Sequence, residues 1–216
     1  MNQTSGDYLV LNKLDPAVCG FASEAGARAV YFGCDTELNP NQSAVVCSAA
    51  ILGIDKSVCM KVFRSFKGLE HRMEEVARIG DVTFINDSKA TTVESAIWAL
   101  QNIPSRAVLI AGGKDKGLDY RLILDLAQKK LRSAVLIGQA RTLIRNAFAG
   151  KVPLEDAVDM RDAVIRAYRK AQPGDVVLLS PMCSSYDMFA DYEERGRVFK
   201  SVVKDLEREV QPSARK

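Results

Sequence analysis

Histidine is nearly missing from this 216-residue chain, in which His71 is the only one. The five cysteines, Cys19, Cys34, Cys47, Cys59 and Cys183, are odd in number and nowhere spaced C-x-x-C. A protein-bound zinc site is therefore not expected, and no disulfide framework can be read from the spacing. The thiols read as buried apolar side chains of a protein kept in a reducing compartment. No apolar run approaches the roughly 18 residues of a membrane helix. The first ten residues, MNQTSGDYLV, lack the charged-then-apolar order of a secretory leader. A dominant charge sign is lacking too: Lys plus Arg total 30 against 27 Asp plus Glu, a net of +3, which is no footprint for nucleic acid. Neither G-x-x-x-x-G-K-[ST] nor G-x-G-x-x-G occurs anywhere in the sequence.

What is present is a strong hydrophobic pattern, with 47% apolar residues, ample for a core. From about residue 80 onward, short β-branched runs alternate with amphipathic segments. VTFI (82–85), AVLIAG (107–112), AVLIG (134–138) and DVVLLS (175–180) are apolar on both faces, as strands covered by helices on each side must be. Between and after them, apolar residues recur at helical spacing: Val93, Ala96, Ile97, Leu100; Tyr120, Ile123, Leu124, Ala127; Ala140, Leu143, Ile144, Ala147, Phe148; Met160, Ala163, Val164, Ala167; Phe199, Val202, Val203, Leu206. The alternation predicts a Rossmann-like, doubly wound, mostly parallel α/β sheet. MEEVARI (73–79), Gly80-Asp81 and VTFI predict an antiparallel hairpin at its start.

The first 66 residues differ. DYLVLN (7–12) and RAVYFG (28–33) flank a helix expected from Pro16 to about Ala25, and two more helices are expected near 40–52 and 56–66. SFKGLEH (65–71) reads as a linker with Gly68 as its turning point. Residues 1–67 and 68–210 are thus expected to be separate domains, and the tail QPSARK (211–216) to be frayed.

In a doubly wound sheet, ligands bind beyond the carboxyl ends of the strands. Three of the four strands above end in polar loops: NDSKAT (86–91), GGKDKGLD (112–119) and SPMCSSYD (180–187). Together they would bring Asp87, Lys89, Lys114, Lys116, Ser184 and Ser185 to one rim. Each also has a plain reading. Thr91-x-x-Glu94 matches a helix capping box. Asp87 with Lys89 matches a surface ion pair of little energetic weight. Ser184-Ser185 matches the cap of a helix starting near Asp187. His71 could be structural, and Arg72 beside it could clamp phosphate with its planar fork.

GLEHR (68–72), FINDSKAT (84–91), GGKDKG (112–117) and LSPMCSSYDMF (179–189), in that order, resemble the D-glutamate-adding branch of the Mur ligases of peptidoglycan synthesis. The resemblance runs from about Ser65 to Leu206. It implies an ADP-forming acid–amino-acid ligase, cytoplasmic and monomeric. Its cofactors would be ATP and Mg2+, its substrates D-glutamate and UDP-N-acetylmuramoyl-L-alanine, and its intermediate an acyl phosphate. By the same likeness, His71, Arg72 and Asp87 lie on the nucleotide side, with Asp87, Lys89 and Arg72 acting in catalysis. Lys89 and Thr91 lie near the incoming amino acid. Lys116 and Ser185 hold its carboxylates, and Tyr186 and Tyr192 line its pocket. Asn39 and Gln42, in Asn39-Pro40-Asn41-Gln42, resemble the family's stretch near the adenine, though Leu38 replaces its histidine and Gln42 its second asparagine. Thr92 likewise replaces a usual asparagine. The sequence departs further in lacking the phosphate loop, the UDP-binding domain and the acidic metal ligands of the central domain. A remnant of the ATPase domain at 1–67 is therefore expected, followed by a whole amino-acid-binding domain, with no independent catalysis. The alternative is a non-catalytic amino-acid- or nucleotide-binding module of the same fold.

Overall fold

The computed structural model describes residues 2–148 and 150–210. It divides into two compact units, Met1–Lys67 and Gly68–Lys216. The expectation for residues 211–216 lies outside the described residues.

In the first unit, β1 (Tyr8–Asn12) and β2 (Arg28–Phe32) pair in parallel, Tyr8 opposite Arg28 through Asn12 opposite Phe32. The crossover is shorter as a helix than the sequence suggests. Asp15 caps α1 (Pro16–Cys19) by accepting from the Ala17 and Val18 amides, and Gly20–Ser23 then tightens into a 3-10 turn. Glycine at the join and serine at the end favour that tightening over continued α-helix. Helices α2 (Pro40–Ile51) and α3 (Lys56–Ser65) follow, capped by Asn39 and Asp55.

The second unit is a six-stranded sheet in the order β3-β4-β8-β5-β6-β7. Its strands are β3 (Glu74–Ile79), β4 (Val82–Asn86), β5 (Ala107–Gly112), β6 (Leu131–Ile137), β7 (Leu154–Asp156) and β8 (Val176–Leu179). β3 and β4 form the expected antiparallel hairpin, with Gly80 at φ 59 supplying the left-handed residue of its two-residue loop. All other neighbours are parallel.

Both faces of the sheet are buried by alternating residues. Ala107, Leu109 and Ala111 of β5 join Leu178 of β8 under α4 (Val93–Asn102), α5 (Leu124–Lys130) and α6 (Arg141–Phe148). Val108 and Ile110 join Val177 and Leu179 under α7 (Met160–Lys170) and α8 (Tyr192–Val210). This accounts for the unbroken apolar run AVLIAG: a strand covered twice has no face left for polar residues. β4, β8 and β5 are neighbours, so the three polar loops that follow them leave the sheet side by side.

Candidate functional site

The loop after β4 is fastened rather than loose. Asn86 is fully buried, and its amide nitrogen donates to Glu74 Oε2 at 3.0 Å and to His71 Nδ1 at 2.9 Å. With Nδ1 accepting, the ring proton of His71 sits on Nε2, 3.7 Å from Glu70 Oε1. The His71 backbone is left-handed, at φ 62, and its carbonyl accepts from the Lys89 amide at 3.1 Å. Asp87 is no surface partner of Lys89. It is 5% exposed, its Oδ1 accepts from the Met73 amide at 3.2 Å, and its Oδ2 accepts from the Ser180 hydroxyl at 3.1 Å. Burial outweighs these bonds and the nearby Arg72 charge, and pushes the carboxyl up to about 6. Lys89 is exposed, its ammonium 5.4 Å from the centre of the Tyr192 ring. Thr92, not Thr91, caps α4, accepting from the Ser95 amide.

The loop after β8 meets both neighbours. The Met182 amide donates to the Ala90 carbonyl at 2.9 Å, joining it to the β4 loop. The Lys114 amide donates to the Ser184 carbonyl at 2.9 Å, and Ser184 Oγ donates to the Lys114 carbonyl at 3.1 Å, joining it to the β5 loop. Gly113 permits that approach, since a Cβ there would lie 2.2 Å from the Ser184 carbonyl oxygen. No helix starts near Asp187. The Ser185 carbonyl instead accepts from the Met188 and Phe189 amides in a turn, and α8 begins only at Tyr192.

At the centre of this lacing lies Arg195, 1% exposed. Its Nε donates to Ser88 Oγ at 2.9 Å, Nη2 to the Ser88 carbonyl at 2.7 Å, and Nη1 to the Cys183 carbonyl at 3.1 Å. Burial lowers its ionisation to about 10, so the guanidinium stays charged at neutral pH. Sequence reasoning missed this residue. Its signal was phase: Arg195 falls on the same helical face as Phe199, Val203 and Leu206.

Of the other residues named from the sequence, Ser185 is 2% exposed beside Ser184, whereas Lys116 and Arg72 are exposed and Tyr186 is 69% exposed. Tyr192 meets the His71 ring edge-on at 6.2 Å. Thr91 is half-buried between Ala90 and the cap of α4. In the first unit, Asn39 and Gln42 cap each other: Asn39 Oδ1 accepts from the Gln42 amide at 3.0 Å and Gln42 Oε1 accepts from the Asn39 amide at 3.2 Å.

Among the described residues, one group of carboxylates and imidazole has metal-ligand spacing: Glu70, His71 and Glu74. The Lys200 ammonium bonds an oxygen of each glutamate, so one cation offsets part of their charge and occupies a ligand atom of each.

Residues 71–183 match the family described as Mur ligase, glutamate ligase domain. The chain is 36% identical to the UDP-N-acetylmuramoylalanine–D-glutamate ligase of Solibacter usitatus, over 95% of this chain and 53% of that protein. It is 45% identical to the enzyme of the same name from Chlorobium limicola, over 74% of this chain and 34% of that protein. It therefore spans about half the length, or less, of these curated relatives. Among solved structures, it resembles the bifunctional folylpolyglutamate synthase/dihydrofolate synthase of Yersinia pestis, complexed with AMPPNP and Mn ion, with a TM-score of 0.65 at 15% identity, covering 93% of this chain and 54% of that one. It also resembles the UDP-N-acetylmuramate-alanine ligase of Thermotoga maritima, with a TM-score of 0.56 at 13% identity, covering 77% of this chain and 37% of that one. At such identities the likeness speaks to fold.

Proposed function

The chain belongs to the Mur ligase family, and from that premise we propose that it holds D-glutamate as the incoming amino acid of an ATP-dependent ligation onto UDP-N-acetylmuramoyl-L-alanine. The observation that carries this reading is the lacing of three polar loops beyond adjacent strands β4, β8 and β5. A dicarboxylate amino acid needs several donors and fixed cations held at set distances. Lys116 and Ser185 would bind its carboxylates, Lys89 and Thr91 would border its amine, and Tyr186 and Tyr192 would wall the pocket. Arg72, His71 and Asp87 would face the nucleotide side. We read residues 1–67 as the part of this chain that corresponds to the ATP-binding domain, and residues 68–210 as its amino-acid-binding domain.

The nucleotide itself is poorly provided for. The sequence contains no phosphate-cradling loop. Asn39 and Gln42 spend their side chains on each other, and both oxygens of Asp87 are already bonded. The Glu70–Glu74 carboxylates are held by Lys200 rather than free for magnesium. These residues do not fit a magnesium–triphosphate group, and no step through it is assigned to them. When bound in such ligases, ATP supplies the phosphoryl group that activates the acceptor carboxylate.

Calorimetric titration of the chain with D-glutamate tests the reading. Heat of binding is expected with D-glutamate, weakened about tenfold or more in Lys116→Ala, as loss of one charge-assisted contact implies. Heat with a nucleotide but none with D-glutamate would overturn the amino-acid reading and favour a nucleotide-binding module of the same fold. With ATP, magnesium and D-glutamate present, no ADP release is expected. Turnover would overturn the missing-cradle argument, whereas binding without turnover fits a binding module as well as half of a ligase.

A further inference from the structure

The β5 loop contains a second fastening, which the ligand contacts proposed above do not use. Tyr120 is 3% exposed, yet its hydroxyl reaches the loop and donates to Asp115 Oδ1 at 2.6 Å. Cys183 Sγ lies 3.1 Å from the same hydroxyl. With the phenolic proton committed to Asp115, the thiol is the donor to the tyrosine oxygen. The other carboxylate oxygen, Asp115 Oδ2, accepts from the Gly117 amide at 3.0 Å. Lys116 is therefore the single residue spanned by a turn that closes on the Asp115 carboxylate, and Tyr120 holds that carboxylate to the protein. From Cys183 the path continues through its carbonyl to Arg195 and on to Ser88, so one connected set of bonds reaches all three loops.

The charge states suit this task. Burial raises both the Tyr120 hydroxyl and the Cys183 thiol, the latter up to about 11, so both keep their protons at neutral pH. The Tyr120 hydroxyl holds Asp115 below the usual carboxylate range. A neutral hydroxyl donating to an ionised carboxylate is among the stronger hydrogen bonds a loop can use. A tyrosine serving only as core would need no partner beyond the one nearest group that satisfies its hydroxyl. Here the partner is the residue that closes the turn around Lys116.

We propose that Tyr120 is a positioning residue, which through Asp115 fixes the loop that presents the Lys116 ammonium to a carboxylate of the bound amino acid. The inference rests on the D-glutamate reading for its ligand, and on geometry alone for its loop.

The test uses the full chain with Tyr120→Phe, Asp115→Asn and the double variant. Phenylalanine keeps the ring in the core, and Asp115→Asn acts from the solvent side should Tyr120→Phe fold poorly. Two quantities are read: D-glutamate affinity by calorimetry, and ligand-free exchange of the Lys116 and Gly117 amides by NMR. Each single variant is expected to bind D-glutamate about tenfold more weakly, the scale of one hydrogen bond to a charged group. Gly117 exchange should rise by a similar factor while β5 amides stay unchanged. The double variant should lose less than the sum of the two singles, because Tyr120→Phe removes and Asp115→Asn weakens the same Tyr120–Asp115 bond. Unchanged Gly117 exchange in Tyr120→Phe, or losses that simply add, would overturn the proposal. Wild-type chain giving no heat with D-glutamate would remove the function proposed above and the ligand half of this inference. The exchange measurement, taken without ligand, would still decide the loop.

Discussion

Asp87 costs the fold stability where it stands. Its carboxyl is moved from 3.8 to about 6, chiefly by burial. Between those values the folded chain binds a proton that the unfolded chain has already lost. Its contribution to stability is therefore greatest below about pH 4, and falls as pH rises through about 6. The span corresponds to about 3 kcal/mol for this one group. Asp87→Asn keeps an acceptor for the Met73 amide and removes the buried charge. The variant is expected to melt higher than wild type at pH 7.5, by the equivalent of about 1–3 kcal/mol, with the gap closing toward pH 4.5. Melts at three pH values check this, and parallel curves for the two proteins would show that the carboxyl is not destabilised by burial. A buried acid kept at such cost, two residues from an exposed lysine, is what a site would retain and a surface ion pair would not.

Helix α8 is the element that turns neighbouring loops into one rim. Arg195 reaches Ser88 and Cys183 from it, and Gly196 lets the His71 ring lie against its backbone. A Cβ on Gly196 would fall 2.2 Å from His71 Nδ1, a ring that cannot swing aside while bonded to Asn86. Gly196→Ala is expected to cost about 1–3 kcal/mol by overpacking. It should also raise amide exchange at Lys89, whose bond to the His71 carbonyl depends on that ring's seat. Urea denaturation and exchange together check it, and a stability loss without a change at Lys89 would separate packing from loop order. Much of this unit was legible because the signal was local. AVLIAG is a doubly covered strand by composition alone, and the apolar phase of Phe199, Val203 and Leu206 gives the inner face of α8. Less visible was anything set by partners distant in sequence. Arg195 looks like a surface charge until two loops supply carbonyls for it. β7, three residues beginning just after Pro153, is too short to carry a period. Thr91 and Thr92 offer the same capping chemistry, and the Ala90–Met182 bond and the packing of α4 decide between them. Asn39 and Gln42 suggested an adenine contact from resemblance, and their spacing equally serves the capping box they form.

At the scale of the whole molecule the two units are unequal. Both large apolar clusters lie within Gly68–Lys216. In Met1–Lys67, Leu11, Ser43, Ala49 and Cys59 are the buried residues among those described. Its two-stranded sheet leaves Tyr8, Leu14, Phe21 and Tyr31 exposed. A unit of that size with so little buried side-chain area sits at the edge of independent stability. It should therefore open first, at a free energy well below that of the second unit. Native-state hydrogen exchange is expected to find the most protected amides in β5, β6 and β8 and little protection in β1 and β2. Expressed alone, residues 68–210 should melt within a few degrees of the slow-exchanging core of the full chain, and D-glutamate should raise that transition and not the earlier one. Equal protection of β1 and β5, lost in one step, would mean that the first unit is stabilised by more than its own contacts. The division of labour proposed here, with amino-acid capture confined to the second unit, would then have to give way to a site that needs both.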